Sequence, residues 1–292
     1  MEKKRAMLCV AIIWALNMLC ILPNMLLRGN GDSIAISVVF TATASIFMWF
    51  PTIAAVITRK LTGDSFKVNI RPHIKRNVGC YIGACLLPGI LILVGAVLFF
   101  VLFPQTFDLK WSYALSMMGD GAVVPFTLTV PIVMLLGMAA IVVAPLVFIN
   151  HIFAFGEEFG WRGYILPKLQ SFMSDRKAAL VSGALWGLGH APLVLYGLNY
   201  GAEYPGFPYT GIFMMTIFAA VIGVWLSYLT IQTKSVVAAS IAHGAINAIR
   251  ELPLFVAVSG VDTLLGPKPS GIVGMVGFIV VACVCFYRMK GR

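Results

Sequence analysis

Two adjacent carboxylates interrupt a long aliphatic stretch of the chain, in the run Gly156-Glu157-Glu158-Phe159-Gly160-Trp161-Arg162. An ionisable group at membrane depth costs roughly 3 kcal/mol on insertion scales, so such groups usually mark function. Two of the four histidines, His190 and His243, also lie inside apolar runs, whereas His73 sits in a basic loop and His151 at the end of an apolar run. Helical spacing groups these residues, because positions four apart share a face. Glu158 with Arg162 reads as an ion pair, which leaves Glu157 for other work. Trp186 and His190 form a second pair, and His243 with Asn247 a third.

A carboxylate beside an imidazole can orient and deprotonate a water molecule. An imidazole and a carboxamide on one helix face suit hydrogen bonding to a developing oxyanion. The chemistry these types allow is attack of water on a carbonyl: Glu157 with His190 activates the water, and His243 with Asn247 stabilises the tetrahedral intermediate. The same residues also fit the buried polar network of a proton-coupled transporter, and a third reading is a non-catalytic membrane scaffold or immunity protein.

The elements that must position these groups are membrane helices. Of the 292 residues, 60% are hydrophobic and 11% charged, with mean hydropathy +0.94. Soluble domains carry about 25% charged residues. The apolar runs are continuous rather than alternating, which favours helices over a barrel. The expected fold is all-α: one polytopic transmembrane bundle over 1–292 with about eight spans, near 7–27, 34–58, 78–103, 123–150, 178–198, 210–231, 235–250 and 271–288. The core that carries these residues is expected at approximately 123–250. His190 and His243 then lie about 18 Å and 12 Å along their helices from the basic side, at about 1.5 Å per residue.

The net charge of +10 follows the topology: 17 of the 21 basic residues fall at the termini and in alternate loops, and only Arg28, Lys110, Arg250 and Lys268 fall on the other side. That split predicts both termini in the cytoplasm. The charge therefore reports orientation and contact with the lipid bilayer; there is no basic, aromatic-studded soluble module, so nucleic acid is excluded as a partner. The six cysteines lie in or at the ends of spans and form no Cys-x-x-Cys pair, which supports neither a disulfide framework nor a thiolate zinc site. The run Gly29-Asn30-Gly31-Asp32 matches Gly-x-Gly-Asp of aspartyl intramembrane proteases, but it falls in a short exterior loop and has no Tyr-Asp partner, so it reads as a turn.

Taken in order, Glu157-Glu158-x-x-x-Arg162, Trp186-x-x-x-His190 and His243-x-x-x-Asn247 resemble the three motifs of the CAAX-protease and bacteriocin-processing family of intramembrane proteases. Trp186 replaces the Phe that usually opens the second motif. The match covers roughly 154–247. The resemblance implies an eight-helix core in a prokaryotic cell membrane, with a cavity facing the cytosol. It also implies Glu157 as the catalytic glutamate, His190 as its partner and His243 with Asn247 as the other pair, with Glu158, Arg162 and Trp186 supporting. The implied partner is a peptide or lipidated-protein substrate: CAAX-type, lipidated or bacteriocin-related. Family members are commonly labelled metalloproteases, and Glu157, His190 and His243 would be a zinc ligand set. The chain lacks His-Glu-x-x-His, and Asn247 fits an oxyanion role better than a ligand role, so the expectation is a metal-free reaction with zinc as the alternative.

Overall fold

The computed structural model describes residues 1–27, 39, 42–118, 123, 124 and 126–291. The Gly29–Asp32 run and the start of the second expected span lie outside the described residues. Apolar runs fold into long helices: α1 (Glu2–Leu27), α3 (Val78–Leu102) and α10 (Tyr209–Thr233). Shorter helices are α2 (Phe50–Thr62), α4 (Ser112–Met118), α5 (Val130–Val143), α6 (Phe148–Glu158), α7 (Leu166–Gln170), α8 (Asp175–Gly189), α9 (Ala191–Leu195), α11 (Val237–Ile249) and α12 (Val276–Arg288). The described residues contain no strand, only an isolated bridge between Phe107 and Ala257.

Among the described residues four helices are long and apolar enough to cross a bilayer, and a bent pair makes a fifth, against eight expected spans. Among the described residues the expected second, seventh and eighth spans carry helices of 13 residues, α2, α11 and α12, and the second also carries helical residues 42–47. At about 1.5 Å per residue each of these named helices covers roughly 20 Å. Short helices and irregular backbone are tolerated at membrane depth when protein surrounds them. Most of α11 is buried, and so is the irregular run 266–271 ahead of α12.

The fourth expected span, 123–150, is longer and bent. Helix α5 gives way to a single turn at Ala144–Leu146, and the chain resumes as α6 at an angle of 58°. Pro145 supplies the reason, since it has no N–H to donate to Ile141 one turn back. The resumed segment runs on to Gln170, through a π-helical stretch at Phe159–Ile165. Glu157 and Glu158 therefore sit inside the bundle, where a simple end of span at 150 would have left them in a loop.

Close helix contacts are made by small residues. A Cβ on Gly183 or Gly187 of α8 would collide with the backbone of α10 at Ala219–Ala220 and Thr216, and Gly223 of α10 meets Gly183 in return. This small-residue ridge gives α8 and α10 a closely packed interface. Helix α11 packs between α3 and α6, where Gly244 makes room for His151.

The two ends of the bundle are held differently. On one, Lys168 pairs with Glu2 at 2.5 Å and Asp64 at 2.6 Å, Arg176 donates to the carbonyls of Met289 and Tyr287, and Asn69 donates to the carbonyl of Lys234. Both ends of the chain thus share one face with the basic loops. On the other, the Asp108 amide donates to Val256 O, Lys268 Nζ to Asn199 O and the Tyr200 hydroxyl to Ser270 O.

Candidate active site

The residues singled out from spacing converge. Glu157 and Glu158 end α6, and the segment carrying them lies directly on the start of α2, because a Cβ on Gly156 would collide with Met48 and Trp49 and one on Gly160 with Pro51. Thr52 Oγ1 reinforces that contact by donating to Gly156 O at 2.6 Å. The wider π-helical turn follows at once, and such bulges are frequent at functional sites. Helix α8 brings Trp186 and, as its C-cap, His190; α11 brings His243 and Asn247.

Glu158 and Arg162 are both completely buried and pair at 3.1 Å, as the spacing predicts. Glu158 has a second partner that sequence reasoning missed: its Oε1 also accepts from His243 Nδ1 at 2.9 Å. A carboxylate only accepts, so Nδ1 of His243 carries a proton and Nε2 is left for other contacts. His190 is fixed in the same sense, with Nδ1 donating to Trp186 O at 3.0 Å, so its neutral ring keeps a lone pair on Nε2.

Trp186 has a larger part than its place in a motif suggests. Its indole Nε1 donates to Glu157 Oε2, which orients that carboxylate and leaves Oε1 for another partner. The Arg162 guanidinium lies 4.4 Å from the centroid of the Trp186 ring, and the ring meets the imidazoles of His190 and His243 edge-on at 5.7 and 5.1 Å between centroids. One indole therefore touches every ionisable member of the group except Glu158.

Glu157, Trp186, His190, His243 and Asn247 line a single cavity of about 330 Å³. Glu157 is 3% exposed and His190 9%, so both groups are buried in the cavity wall. Asn150 and Arg250 also line it, and neither was singled out from sequence. Arg250 follows Asn247 by three positions and His243 by seven, a spacing that places all three on one face.

The cavity runs from Glu157 toward Asn199, Arg250 and the start of α6, away from the face that carries the termini and basic loops. Its described lining includes no residue of the basic loops. On the basic face a separate cavity of about 420 Å³ reaches Arg162, and Glu157 is not in its lining.

Among the described residues no three His, Cys, Asp or Glu side chains stand together as a ready metal-ligand group.

Fold and site together define a polytopic helical membrane protein that buries a carboxylate and two imidazoles in one cavity. The family described as Rce1-like, type II CAAX prenyl endopeptidase, matches residues 131–249. CAAX prenyl protease 2 of Methanococcus maripaludis is 32% identical over 111 residues, a match that covers 37% of this chain and 40% of the relative. The chain thus aligns with about two fifths of the length of that curated relative. The resemblance carried by the three motifs stands: the segment similar to the Rce1-like family holds all of them.

Proposed function

We propose that the protein is an intramembrane endopeptidase in which Glu157 and His190 activate water and His243 and Asn247 stabilise the oxyanion. The observation that carries this reading is the convergence of these four side chains, from three separate stretches of the chain, on one 330 Å³ cavity. Glu157 takes a proton from water, the hydroxyl adds to the scissile carbonyl, and the charge on oxygen is met by the Asn247 amide and by His243 in its doubly protonated form. Collapse breaks the C–N bond, and the proton held by Glu157 goes to the leaving amine. His190 Nε2 is the acceptor that aligns the water. This scheme routes no step through a metal; loss of activity to a chelator with recovery on adding zinc would replace it.

The substrate class follows from the setting: a peptide able to reach a cavity inside the bilayer, whether CAAX-type, lipidated or bacteriocin-related. By the positive-inside rule the basic face is cytoplasmic, so the cavity lies in the opposite half of the bilayer and peptide enters there or from the side. In intact cells an impermeant thiol reagent is expected to label Glu203→Cys and to spare Ser171→Cys; the reverse pattern would invert the protein.

Turnover of a quenched fluorescent peptide by the purified protein in lipid nanodiscs tests the chemistry. Glu157→Gln and His190→Ala should each abolish cleavage, and full activity in either would overturn the assignment. A transporter would instead show pH-driven flux in liposomes with no cleaved product.

A further inference from the structure

His190 is held from behind by a helix that carries none of the three motifs. It is the C-cap of α8, so the direction of its side chain is set by the peptide that joins it to Gly189. A helix leaves the carbonyls of its last turn without N–H partners of its own. Here α1 supplies one from outside: Asn17 Nδ2 donates to Gly189 O at 2.8 Å, and Trp14, three residues earlier on the same face, donates from Nε1 to Leu185 O at 3.4 Å. Both nitrogens lie 3.4 Å from the place a Cβ on Gly189 would take, so α1 rests directly on the end of α8. Ile21, one turn beyond Asn17, joins Phe47, Phe50 and Leu193 in a small buried cluster, and the Phe47 ring stands 5.3 Å from the imidazole of His190. The backbone and the ring of His190 thus both meet partners that α1 supports.

Asn17 is a poor choice for packing alone. It is 3% exposed within an apolar helix, and its Oδ1 is buried without a hydrogen-bond partner among the described residues. A buried amide that satisfies only its donor side destabilises a fold relative to an apolar residue of similar shape. Leucine has that shape and would bury no polar atom. What leucine lacks is the N–H to Gly189 O, and with it the hold on the peptide from which His190 projects.

We propose that Asn17 is a positioning residue for His190. By fixing the 189–190 peptide it aims the imidazole, whose Nδ1 is tied to Trp186 O, so that Nε2 faces the water beside Glu157. This rests on the endopeptidase reading and extends the site to α1, outside the segment 131–249 that the family matches.

Asn17→Leu tests the assignment in two ways. In nanodiscs kcat for the quenched peptide should fall about tenfold, equal to about 1.4 kcal/mol in the barrier, with KM little changed and a melting temperature equal to or above that of the wild type. A wild-type kcat, or a variant that loses folded protein, would make Asn17 an ordinary packing residue and overturn the proposal. Nitrogen NMR of histidine-labelled protein reads the same hold without turnover. The signals missing from His190→Ala identify that ring; they should shift in Asn17→Leu while those of His243 stay in place, and unmoved His190 signals would overturn the proposal. Shifted His190 signals in a protein whose wild type cleaves nothing would sink the endopeptidase and keep the positioning role. Cleavage by the wild type, with kcat and His190 signals unchanged in Asn17→Leu, would do the opposite.

Discussion

Two groups of charged side chains hold this molecule, and they are built on different accounts. At the basic face Glu2 and Asp64 stand against Arg5 and Lys168: Lys168 reaches both acids, Arg5 pairs with Glu2 at 2.5 Å and approaches Asp64 at 3.6 Å, and the Tyr164 hydroxyl donates to Asp64 at 2.9 Å. Charges there match two for two, and the cluster ties the first helix to the loop after α2 and to α7. In the bundle interior the Arg162 guanidinium and the His243 ring both pair with Glu158. Glu157 is left with a neutral indole N–H. A matched cluster fastens elements together, while a carboxylate held by a neutral donor is poised to take a proton.

Removing the Glu157 carboxylate should produce the largest effect on turnover with the least on folding. Glu157→Gln keeps a hydrogen-bond acceptor for Trp186 and relieves a buried charge, so its melting temperature in detergent should equal or exceed that of the wild type. Cleavage should fall on the order of 10³-fold, the scale of a lost general base. A variant that loses both together would place Glu157 among the fastening charges and erase the contrast.

Arg162→Ala reverses the pattern. It leaves the fully buried Glu158 with the His243 ring alone and removes the group stacked on Trp186, and breaking such a pair costs about 3–5 kcal/mol. Folded yield and melting temperature should drop steeply, with activity lost as a consequence. Unchanged thermal unfolding in detergent would show that the pair does not support the fold.

Spacing made the Glu158–Arg162 pair legible, because four residues on a helix fix a distance whatever the tertiary structure. It also brought out His190, His243 and Asn247, whose polar types are conspicuous in apolar runs. What spacing could not give was contact between helices: the His243–Glu158 and Trp186–Glu157 hydrogen bonds depend on how α6, α8 and α11 cross, which rests on Gly156, Gly183, Gly187 and Gly244. Arg250 had a signal, the run of offsets four and three after His243, but it reads as a boundary charge when α11 is taken as a plain span. Hydropathy likewise found apolar runs at 235–250 and 271–288 but could not tell that each holds a helix of 13 residues, the first mostly buried and the second half exposed. The bend at Pro145 was visible as a proline, yet the continuation of the helix beyond it was not, since a proline ends helices as often as it kinks them.

Trp186→Phe sharpens the comparison within the site. The ring and its contacts with Arg162, His190 and His243 are kept, and only the N–H to Glu157 is lost. Turnover should fall about tenfold, equal to about 1.4 kcal/mol in the barrier, with KM little changed, because the carboxylate loses its orientation rather than its place. A full-activity Trp186→Phe would mean that packing alone positions Glu157.

The smallest effect is expected from the matched cluster. Burial works to raise the pKa of Asp64, but the Lys168 ammonium, the Phe66 amide and the Tyr164 hydroxyl outweigh it and hold the carboxyl at about 2, below its ordinary value of 3.8. A carboxyl depressed in this way stabilises the fold fully above its unfolded pKa, near 4, and the contribution fades as pH falls through the folded value, near 2. Asp64→Asn should cost on the order of 1 kcal/mol at neutral pH, the scale of an ion pair near the surface, and should flatten that acid limb, while cleavage at neutral pH changes little. Thermal unfolding followed from pH 7 to pH 2 checks both parts. An acid limb of undiminished size in Asp64→Asn would assign the pH dependence to another carboxylate, and a loss of cleavage as deep as that of Glu157→Gln would join the two clusters into one functional unit.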